Sequence, residues 1–495
     1  MSFDTDVLIS GAGAAGLTLA IDLARRGASF VLVEQSDQPF CGSRGKGIQP
    51  RTMEVFEDLG IVDRVAAAGG PYPPHRQYFA DGSTSETELA EVALSPSEPY
   101  AGPLMVPQFM TERLMRERLA ELGHRVQFGR WLAGFEQDAD GVRARVADAH
   151  GEHCIRARYL VGTDGGRSFV RRALGISFPG KTLGVRALVA DVRLDGLDRF
   201  AWHRFQFGGE DSMVMICPLA GSDLFQIQGA VPLDGEVDLS PAALTNLLAE
   251  RTARADIVVH QVNWASVYSM SARLAERYRV GRVFLAGDAA HVHPPTGGQG
   301  LNTSIQDAYN LGWKLAAALD AAPDALLDTY EEERRPIAAG MLGLSTRLLD
   351  EARKGAMRRN REARQLDLDY RGSSLTFPGS LATAKIKAGD RAPDAPCRGH
   401  AGQPTRLFHF FQGTHWTLIG LGVAERPAPR KGLRIASVGE DRDIVDDGGH
   451  IADAYGLEEG QWALVRPDGY LAAIIDGGAL EEVLATLMGD RMEVR

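Results

Sequence analysis

The hydrophobic pattern of the first 34 residues predicts one βαβ unit. Thr5–Ser10 is a short apolar run, a glycine-rich turn follows, and Leu17–Arg26 carries apolar residues at helical spacing. A second apolar run, Phe30–Glu34, ends in an acid. A strand, a helix and a strand in this order predict two parallel strands joined by a right-handed crossover.

Other stretches have different periodicities, which predicts an α/β chain with more than one sheet. From Val185 to Ile227 apolar and polar residues alternate, which predicts a mainly antiparallel sheet with one buried face. After Gly379 short β-like runs return between prolines and glycines, which predicts a separate small α/β domain. Helical spacing is found at Thr111–Leu122, at Thr303–Leu319 and from Ala325 to about Gln365.

Length, charge and cysteine usage exclude several function classes. The chain has 495 residues, so two or three domains are expected. A formal net charge of −11 argues against a nucleic-acid partner. No apolar run approaches the roughly 18 residues of a transmembrane helix, so no membrane partner is expected. The four cysteines include no C-x-x-C pair, which argues against a redox dithiol and favours a cytoplasmic protein.

The turn after the first predicted strand has the G-x-G-x-x-G pattern of dinucleotide-binding proteins. Gly11 permits a tight turn, Gly13 lets the backbone approach a pyrophosphate, and Gly16 allows close packing of helix on strand. Glu34 ends the second strand, where a carboxylate can accept hydrogen bonds from ribose hydroxyls. The alternative is a merely tight βα turn. The residues expected at a bound dinucleotide are Gly11, Gly13, Ala14, Ala15, Gly16, Glu34 and Gln35.

Two further predicted strands carry an acid and a glycine at their carboxyl ends. These pairs are Asp164-Gly165 and Gly287-Asp288, and ligands bind at this edge of open α/β sheets. A glycine-rich loop, 294–302, follows the second pair, and its backbone can come close to a flat ligand. The first pair alone is equally consistent with an ordinary turn.

Two histidines, His291 and His293, precede the glycine-rich loop. Two ligands without a third partner rarely form a metal site. We therefore expect packed, hydrogen-bonded histidines and no metal.

Together the three motifs resemble the single-component FAD-dependent aromatic hydroxylases, the family of para-hydroxybenzoate hydroxylase and phenol hydroxylase. The resemblance covers about residues 2–349 and is greatest to the longer members that act on polyketide-type phenols or phenylpropionates. The segments 43–54 and 106–108 also resemble family segments that contact the flavin. The tail resembles the family's thioredoxin-like domain at 389–394 and 465–470, although it lacks paired cysteines.

This resemblance implies FAD as cofactor, NADPH or NADH as co-substrate, and O2 and a small aromatic molecule as substrates. Reduced flavin would add oxygen at C4a, and the hydroperoxide would hydroxylate the aromatic ring. The residues implied at the reacting part of the flavin are Arg44, Pro295 and Gly298. The further cofactor-binding residues implied are Gln108, Asp164, Gly165, Gly287, Asp288, Gly300, Leu301 and Asn302.

The alternating sheet offers a candidate substrate wall. Its apolar residues could exclude water above the flavin, but they could equally be ordinary sheet core. Another FAD monooxygenase (Baeyer–Villiger or epoxidising) and an FAD-dependent dehydrogenase remain alternatives on the same scaffold. The substrate-binding residues expected are Phe205, Met213, Met215, Phe225 and Pro295.

The implied fold class is α/β, with a Rossmann-like FAD-binding domain, an inserted, mainly antiparallel β-sheet domain and a thioredoxin-like C-terminal domain. The FAD-binding domain is expected at 1–74, 103–176 and 272–340, and the substrate-binding domain at 75–102 and 177–271. A helical connection is expected at 341–378 and the C-terminal domain at 379–495. We expect a monomer or homodimer.

Overall fold

The computed structural model describes residues 2–88, 93–208, 212–294, 298–353, 361–383 and 385–489. Its strands, in chain order, are β1 (Thr5–Ser10), β2 (Phe30–Glu34), β3 (Gly47–Ile48), β4 (His75–Tyr78), β5 (Thr84–Thr87), β6 (Leu104–Met105), β7 (Gln127–Phe128), β8 (Trp131–Gln137), β9 (Val142–Asp148), β10 (Gly151–Gly162), β11 (Gly180–Asp195), β12 (Trp202–Phe205), β13 (Val214–Pro218), β14 (Phe225–Val231), β15 (Val258–Leu274), β16 (Arg279–Val280), β17 (Val283–Leu285), β18 (His291–Val292), β19 (Pro396–Gly399), β20 (Pro404–Arg406), β21 (Trp416–Leu421), β22 (Leu433–Val438), β23 (Ile444–Val445), β24 (Gln461–Val465) and β25 (Leu471–Asp476).

The α-helices are α1 (Ala14–Arg25), α2 (Pro50–Leu59), α3 (Val62–Ala68), α4 (Gln108–Glu121), α5 (Phe169–Ala173), α6 (Pro241–Thr252), α7 (Gln299–Leu319), α8 (Ala325–Arg353), α9 (Phe408–Phe411), α10 (His450–Tyr455) and α11 (Leu480–Met488). Short 3-10 helices cover Gly287–Ala289, Arg361–Arg364 and Gly477–Ala479. The predicted α/β class with several sheets is confirmed.

The first sheet contains the predicted βαβ unit. Its strand order is β16-β17-β10-β1-β2-β7, and β1 runs parallel to both β2 and β10. The hairpin β8–β9 extends it through an antiparallel contact with β10. Apolar side chains of the central strands, such as Leu8, Ile9 and Leu160, are fully buried. Such continuous apolar runs are typical of parallel strands that are covered on both faces.

The second sheet is mainly antiparallel and has one face covered by α6. Its strand order is β18-β15-β11-β14-β13-β12-β4-β5, and only the β12–β4 pair among these is parallel. Leu244 and Leu248 of α6 pack with Leu188, Phe225 and Ile227 of the sheet in one buried cluster. Because side chains alternate between faces along a strand, the intervening residues point to the opposite face.

The third sheet lies in the tail and is joined to α7 and α8 by buried charges. Its strand order is β20-β19-β23-β22-β21-β24-β25. Glu333 of α8 accepts hydrogen bonds from Lys314 of α7 at 2.6 Å and from Arg466 at 2.6 and 2.9 Å. Asp468 accepts from Arg466 and from the indole N–H of Trp313. The thioredoxin-like assignment of this region and the domain boundaries stay predictions.

Among the described residues, no helix is both long and apolar enough to cross a membrane.

Candidate functional site

A cavity of about 1430 Å³ lies between the first and second sheets. One part is lined by the β1–α1 turn, the loop after β10 and the start of α7, and the other by β11, β14 and β15. The predicted cofactor residues that line it are Gly11, Gly13, Ala14, Ala15, Glu34, Gln35, Arg44, Gln108, Asp164, Gly165, Asp288, Gly298, Gly300 and Leu301.

The β1–α1 turn directs the N-terminal end of α1 at this cavity. Gly11 has a φ of +107°, and a Cβ there would meet the Thr163 carbonyl carbon at 2.7 Å. Gly13 is the N-cap of α1 and lines the cavity. Gly16 does not line it, because it packs against Gly11 and Thr163, where a Cβ would lie 2.8 Å from Thr163 Oγ1. A helix N-terminus approached by glycine backbone fits the pyrophosphate of a dinucleotide.

The acid at the end of β2 is held in place by backbone groups. Glu34 Oε2 accepts a hydrogen bond from the Ala12 N–H at 2.8 Å, and Oε1 accepts from the Ser36 N–H at 3.0 Å. The carboxylate is thereby fixed at the wall of the cavity. Each of its oxygens has further acceptor capacity, which fits ribose hydroxyls.

The loop after β10 presents one carboxylate oxygen without a partner. Asp164 Oδ2 accepts hydrogen bonds from the N–H groups of Phe169 and Val170 at 2.8 and 3.0 Å. Its Oδ1 is buried and has no hydrogen-bond partner among the described residues. Gly165 follows with a φ of +77°, which favours glycine. A buried acceptor without a partner indicates a place for a ligand hydroxyl or amine.

In the second acid–glycine pair, the glycine packs in the interior and the acid lines the cavity. Gly287 does not line the cavity, because a Cβ there would lie 3.0 Å from Ser304 Oγ and 3.1 Å from the Ala15 Cβ. Asp288 lines it, and its side chain is solvent-accessible through the cavity although it lies deep in the molecule. This burial raises the pKa of Asp288, whereas His291 and Arg44 act in the opposite direction.

Helix α7 begins at Gln299, four residues earlier than the helix that sequence predicts, and points its N-terminal end at the cavity. Its N-cap is Gly298, with a φ of +65°. Asn302 is fully buried and does not line the cavity. Its amide accepts a hydrogen bond from the Gln49 N–H and donates to the Gly47 and Gly298 carbonyls, which joins two loops. Pro295 lies outside the described residues.

The segments 43–54 and 106–108 meet at the cavity. The guanidinium of Arg44 lies 5.5 Å from the Phe40 ring centroid and 5.7 Å from that of Trp264. Gln108 Oε1 accepts a hydrogen bond from the Gly45 N–H at 3.2 Å, and its Nε2 donates to Glu112 at 2.8 Å. Burial raises the pKa of Glu112 to about 7, although Gln108 and Arg116 lower it.

The four predicted substrate residues that the structure describes are not part of the cavity lining. Phe205 and Phe225 are buried in the core under α6, on the other face of the second sheet. Met215 packs in a small cluster with Met105, Trp202 and Cys217, and Met213 is partly buried outside the lining. Their substrate-binding role stays a prediction that the cavity does not favour.

The cavity is walled instead by the alternate residues of the same strands. Val189 of β11 and Gln228 of β14 are cross-strand neighbours, and Val189 also pairs with Ser266 of β15. Tyr268 lies further along β15, where burial raises the pKa of its phenol to about 12. The sequence signal for this wall was the polar half of the Phe225–Gln228 alternation. The predicted residue Phe225 belongs to the apolar half, and the sequence does not show which face of the sheet a helix covers.

Positive charge predominates around the cavity in a chain whose net charge is −11. The acids that line it are Glu34, Asp164 and Asp288. The cations that line it are Arg44, Lys46, Arg130, Arg167, Arg172, Arg186 and Arg273. This excess favours anionic ligands.

His291 and His293 are hydrogen-bonded to each other. His293 Nε2 lies 2.9 Å from His291 Nδ1, and His291 Nε2 lies 2.6 Å from Asp307 Oδ2. Among the described residues, no group of three or more His, Cys, Asp or Glu side chains is arranged to hold a metal ion.

Comparison with known proteins identifies the family to which this chain belongs. The model of the family described as FAD binding domain matches residues 4–345. A flavin-dependent monooxygenase of Mycobacteroides abscessus is 41% identical over 479 residues, which cover 95% of this chain and 97% of that protein. A 12-dehydrotetracycline 5-monooxygenase/anhydrotetracycline 6-monooxygenase of Streptomyces rimosus is 35% identical over 498 residues, 94% of each chain.

The fold agrees with a solved flavoprotein along nearly its whole length. The crystal structure of aklavinone-11 hydroxylase in complex with FAD and aklavinone superposes with a TM-score of 0.85 and 28% identity, covering 98% of this chain and 99% of that chain. The resemblance drawn from the sequence motifs is thus confirmed. This chain belongs to the FAD binding domain family and is an FAD-dependent monooxygenase of the aromatic-hydroxylase type.

Proposed function

We propose that this chain hydroxylates a multi-ring phenol of polyketide type, with NADPH or NADH as reductant and O2 as oxygen source. The observation that carries the proposal is that one continuous cavity of about 1430 Å³ extends from the β1–α1 turn to the second sheet. A pocket for one drug-sized ligand has roughly 300–1,000 Å³. This cavity therefore has room for FAD and a second flat ligand.

In this proposal the pyrophosphate of FAD binds at the start of α1, the adenosine ribose at Glu34, and the flavin ring near the start of α7. Gly16, Gly287 and Asn302 contribute by packing and loop positioning rather than by contact. When bound, FAD supplies redox and oxygen chemistry that no side chain performs. The positive end of the α7 dipole, at Gly298–Gly300, would stabilise negative charge on a bound ring.

The substrate would lie against the cavity face of the second sheet, at Val189, Gln228, Ser266 and Tyr268. Because its pKa is raised to about 12, the Tyr268 phenol stays protonated at neutral pH and can donate a hydrogen bond to a substrate oxygen. The related proteins named for anhydrotetracycline and aklavinone support a multi-ring substrate.

The positively charged lining supports a phosphate-bearing reductant. Arg167 and Arg172 follow the Asp164-Gly165 pair and reach the cavity with exposed side chains. We propose them as contacts for the phosphates of NADPH or NADH. None of the four cysteines, all of which lie in the described residues, forms a disulfide bond, which supports a cytoplasmic location for the monomer or homodimer.

The test is anaerobic reduction of the FAD-loaded protein by NADPH and by NADH, alone and with anhydrotetracycline, aklavinone or 3-hydroxyphenylpropionate. We expect a multi-ring phenol to accelerate flavin bleaching at least about tenfold, and aerobic turnover to add one oxygen atom to that phenol. Bleaching that no aromatic accelerates, or an oxidised product without added oxygen, would contradict the proposal.

A pair of variants locates the substrate. Val189→Phe narrows the cavity, whereas Phe225→Leu changes the opposite face of the same sheet. We expect V189F to keep FAD and its unstimulated reduction rate but to lose acceleration by the multi-ring phenol. F225L should keep that acceleration and lose only stability, by roughly 1–3 kcal/mol, because a smaller side chain leaves part of the core unfilled. If F225L lost the acceleration and V189F kept it, the substrate would instead lie on the Phe225 face of the sheet.

A further inference from the structure

We propose that His293, His291 and Asp307 form a proton relay that accepts the phenolic proton of the substrate from the cavity. The identity of the ligand rests on the proposed function. The relay itself rests on the buried chain of hydrogen bonds between a cavity-lining ring and a carboxylate on α7.

The three groups form a continuous path from the cavity to the interior. His293 lines the cavity, and its Nε2 lies 2.9 Å from His291 Nδ1. His291 is fully buried, and its Nε2 lies 2.6 Å from Asp307 Oδ2. His293 Nδ1 is buried and has no hydrogen-bond partner among the described residues. The other three ring nitrogens of the two histidines all take part in the chain of hydrogen bonds.

The hydrogen bonds assign the proton positions. Asp307 also accepts from Arg334 Nε at 2.8 Å, so it is an ionised acceptor and His291 must donate from Nε2. In the neutral pair, which the relay requires before a phenol binds, His291 Nδ1 is an acceptor and His293 must donate from Nε2. His293 Nδ1 is consequently a lone pair at the end of the path. Leaving such an acceptor unpaired in a buried place is unfavourable unless a ligand proton reaches it.

The relay consists of two proton transfers, one from the phenol to His293 and one from His293 to His291. The phenol O–H bond breaks, its proton goes to His293 Nδ1, and the phenolate keeps the electron pair. His293 Nε2 passes its own proton to His291 Nδ1. His293 ends neutral with its hydrogen on Nδ1, and the positive charge lies on His291, beside the Asp307 carboxylate.

The electrostatics disfavour a positive charge on His293. Burial, together with His291, lowers the pKa of His293 to about 3, so a lasting cation is disfavoured there. Burial would raise the pKa of Asp307, but His291 and Arg334 outweigh it and hold that pKa below its usual range. The titratable and charged groups around the pair are Asp288 after β17, Tyr278 stacked 6.3 Å from His291, Asp307 on α7, and Arg334 and Arg335 on α8.

The first test needs no substrate. Histidine labelled with 15N in the FAD-loaded protein reports which ring nitrogen carries hydrogen. We expect His293 to carry hydrogen on Nε2 and none on Nδ1 in the substrate-free protein, because only that tautomer leaves Nδ1 able to accept the phenolic proton. Hydrogen on His293 Nδ1 would overturn the relay.

The second test follows a bound phenol by its absorbance, with anhydrotetracycline and the oxidised, FAD-loaded protein. We expect its phenol to ionise at a pH at least one unit lower than in water. His293→Gln keeps a donor for His291 but cannot pass a proton on, so it should lose this shift while retaining FAD. An unchanged shift in H293Q would refute the relay.

The matched control is His203→Gln, which alters a buried histidine on the α6 face that bonds Tyr78 and the Asp198 carbonyl. It should leave the shift intact. If no phenol binds or accelerates FAD reduction, the proposed substrate class fails, and the tautomer measurement still decides the relay.

Discussion

Alanine at Gly13 should weaken FAD binding without unfolding the protein. A Cβ added there meets only Glu112 Oε1, at 3.9 Å, and the backbone angles (φ −72°, ψ −173°) suit any residue. The new methyl group would instead occupy the space through which the start of α1 faces the cavity. Overpacking of this kind costs about 1–3 kcal/mol, which corresponds to roughly 5- to 150-fold weaker FAD binding.

Gly16→Ala separates this effect from a loss of folding. Its Cβ would lie 2.8 Å from Thr163 Oγ1 and 3.1 Å from the Gly11 carbonyl carbon, so backbone must move even without FAD. We expect G16A to lower the unfolding free energy of the apoprotein by about 1–3 kcal/mol. The assays are urea unfolding of the apoproteins and titration of FAD by its fluorescence. The reasoning is refuted if G13A binds FAD as tightly as the parent, or if its apoprotein is destabilised as much as G16A.

Two other predictions concern buried charges. Because burial raises the pKa of Glu112 to about 7, the folded protein retains a proton that the unfolded chain releases, and stability falls as pH rises from about 4.5 to 7. In apoprotein melts between pH 5 and 8, the stability of Glu112→Gln relative to the parent should therefore rise with pH, by up to about 3 kcal/mol. Glu117→Gln, on the exposed side of α4, should show no such rise. A stability difference between Glu112→Gln and the parent that does not depend on pH would contradict this. Glu333→Ala should cost roughly 3–5 kcal/mol in urea unfolding, because it removes the carboxylate bonded to Lys314 and one of the two bonded to Arg466. Glu332→Ala, which loses exposed hydrogen bonds to Ser374, should cost about 1 kcal/mol, and equal losses would argue against the buried network.

Local signals in the sequence were sufficient to predict the β1–α1 turn and the strands on either side of it. The predicted strands Thr5–Ser10 and Phe30–Glu34 match β1 and β2 residue for residue, because apolar runs there are bounded by glycine and by an acid. The glycine spacing likewise requires backbone proximity at Gly11 and Gly16, which neighbouring atoms of the turn enforce. These features depend on residues close in sequence.

The cavity face of the second sheet could not be predicted in the same way. In β14, Phe225 and Ile227 alternate with Gln226 and Gln228, so periodicity defines two faces without saying which one meets the cavity. The choice is made by α6, which packs on the apolar face from a separate segment. A polar face over a ligand cavity looks, in sequence, like a face open to solvent.

The tail influences the cavity through contacts that no local pattern reveals. Arg51, near the start of α2, donates to the Asp468 carbonyl at 2.7 Å and to Glu54, which in turn accepts from Arg391 at 2.9 Å. Gln49, immediately before α2, is bonded to Asn302 near the start of α7. The tail therefore contacts α2, and α2 is joined through Gln49 to the start of α7 at the cavity. Because removing the tail would take Arg466 from Glu333 and the Asp468 carbonyl from Arg51, the tail is an integral part of the site's scaffold rather than a detachable module.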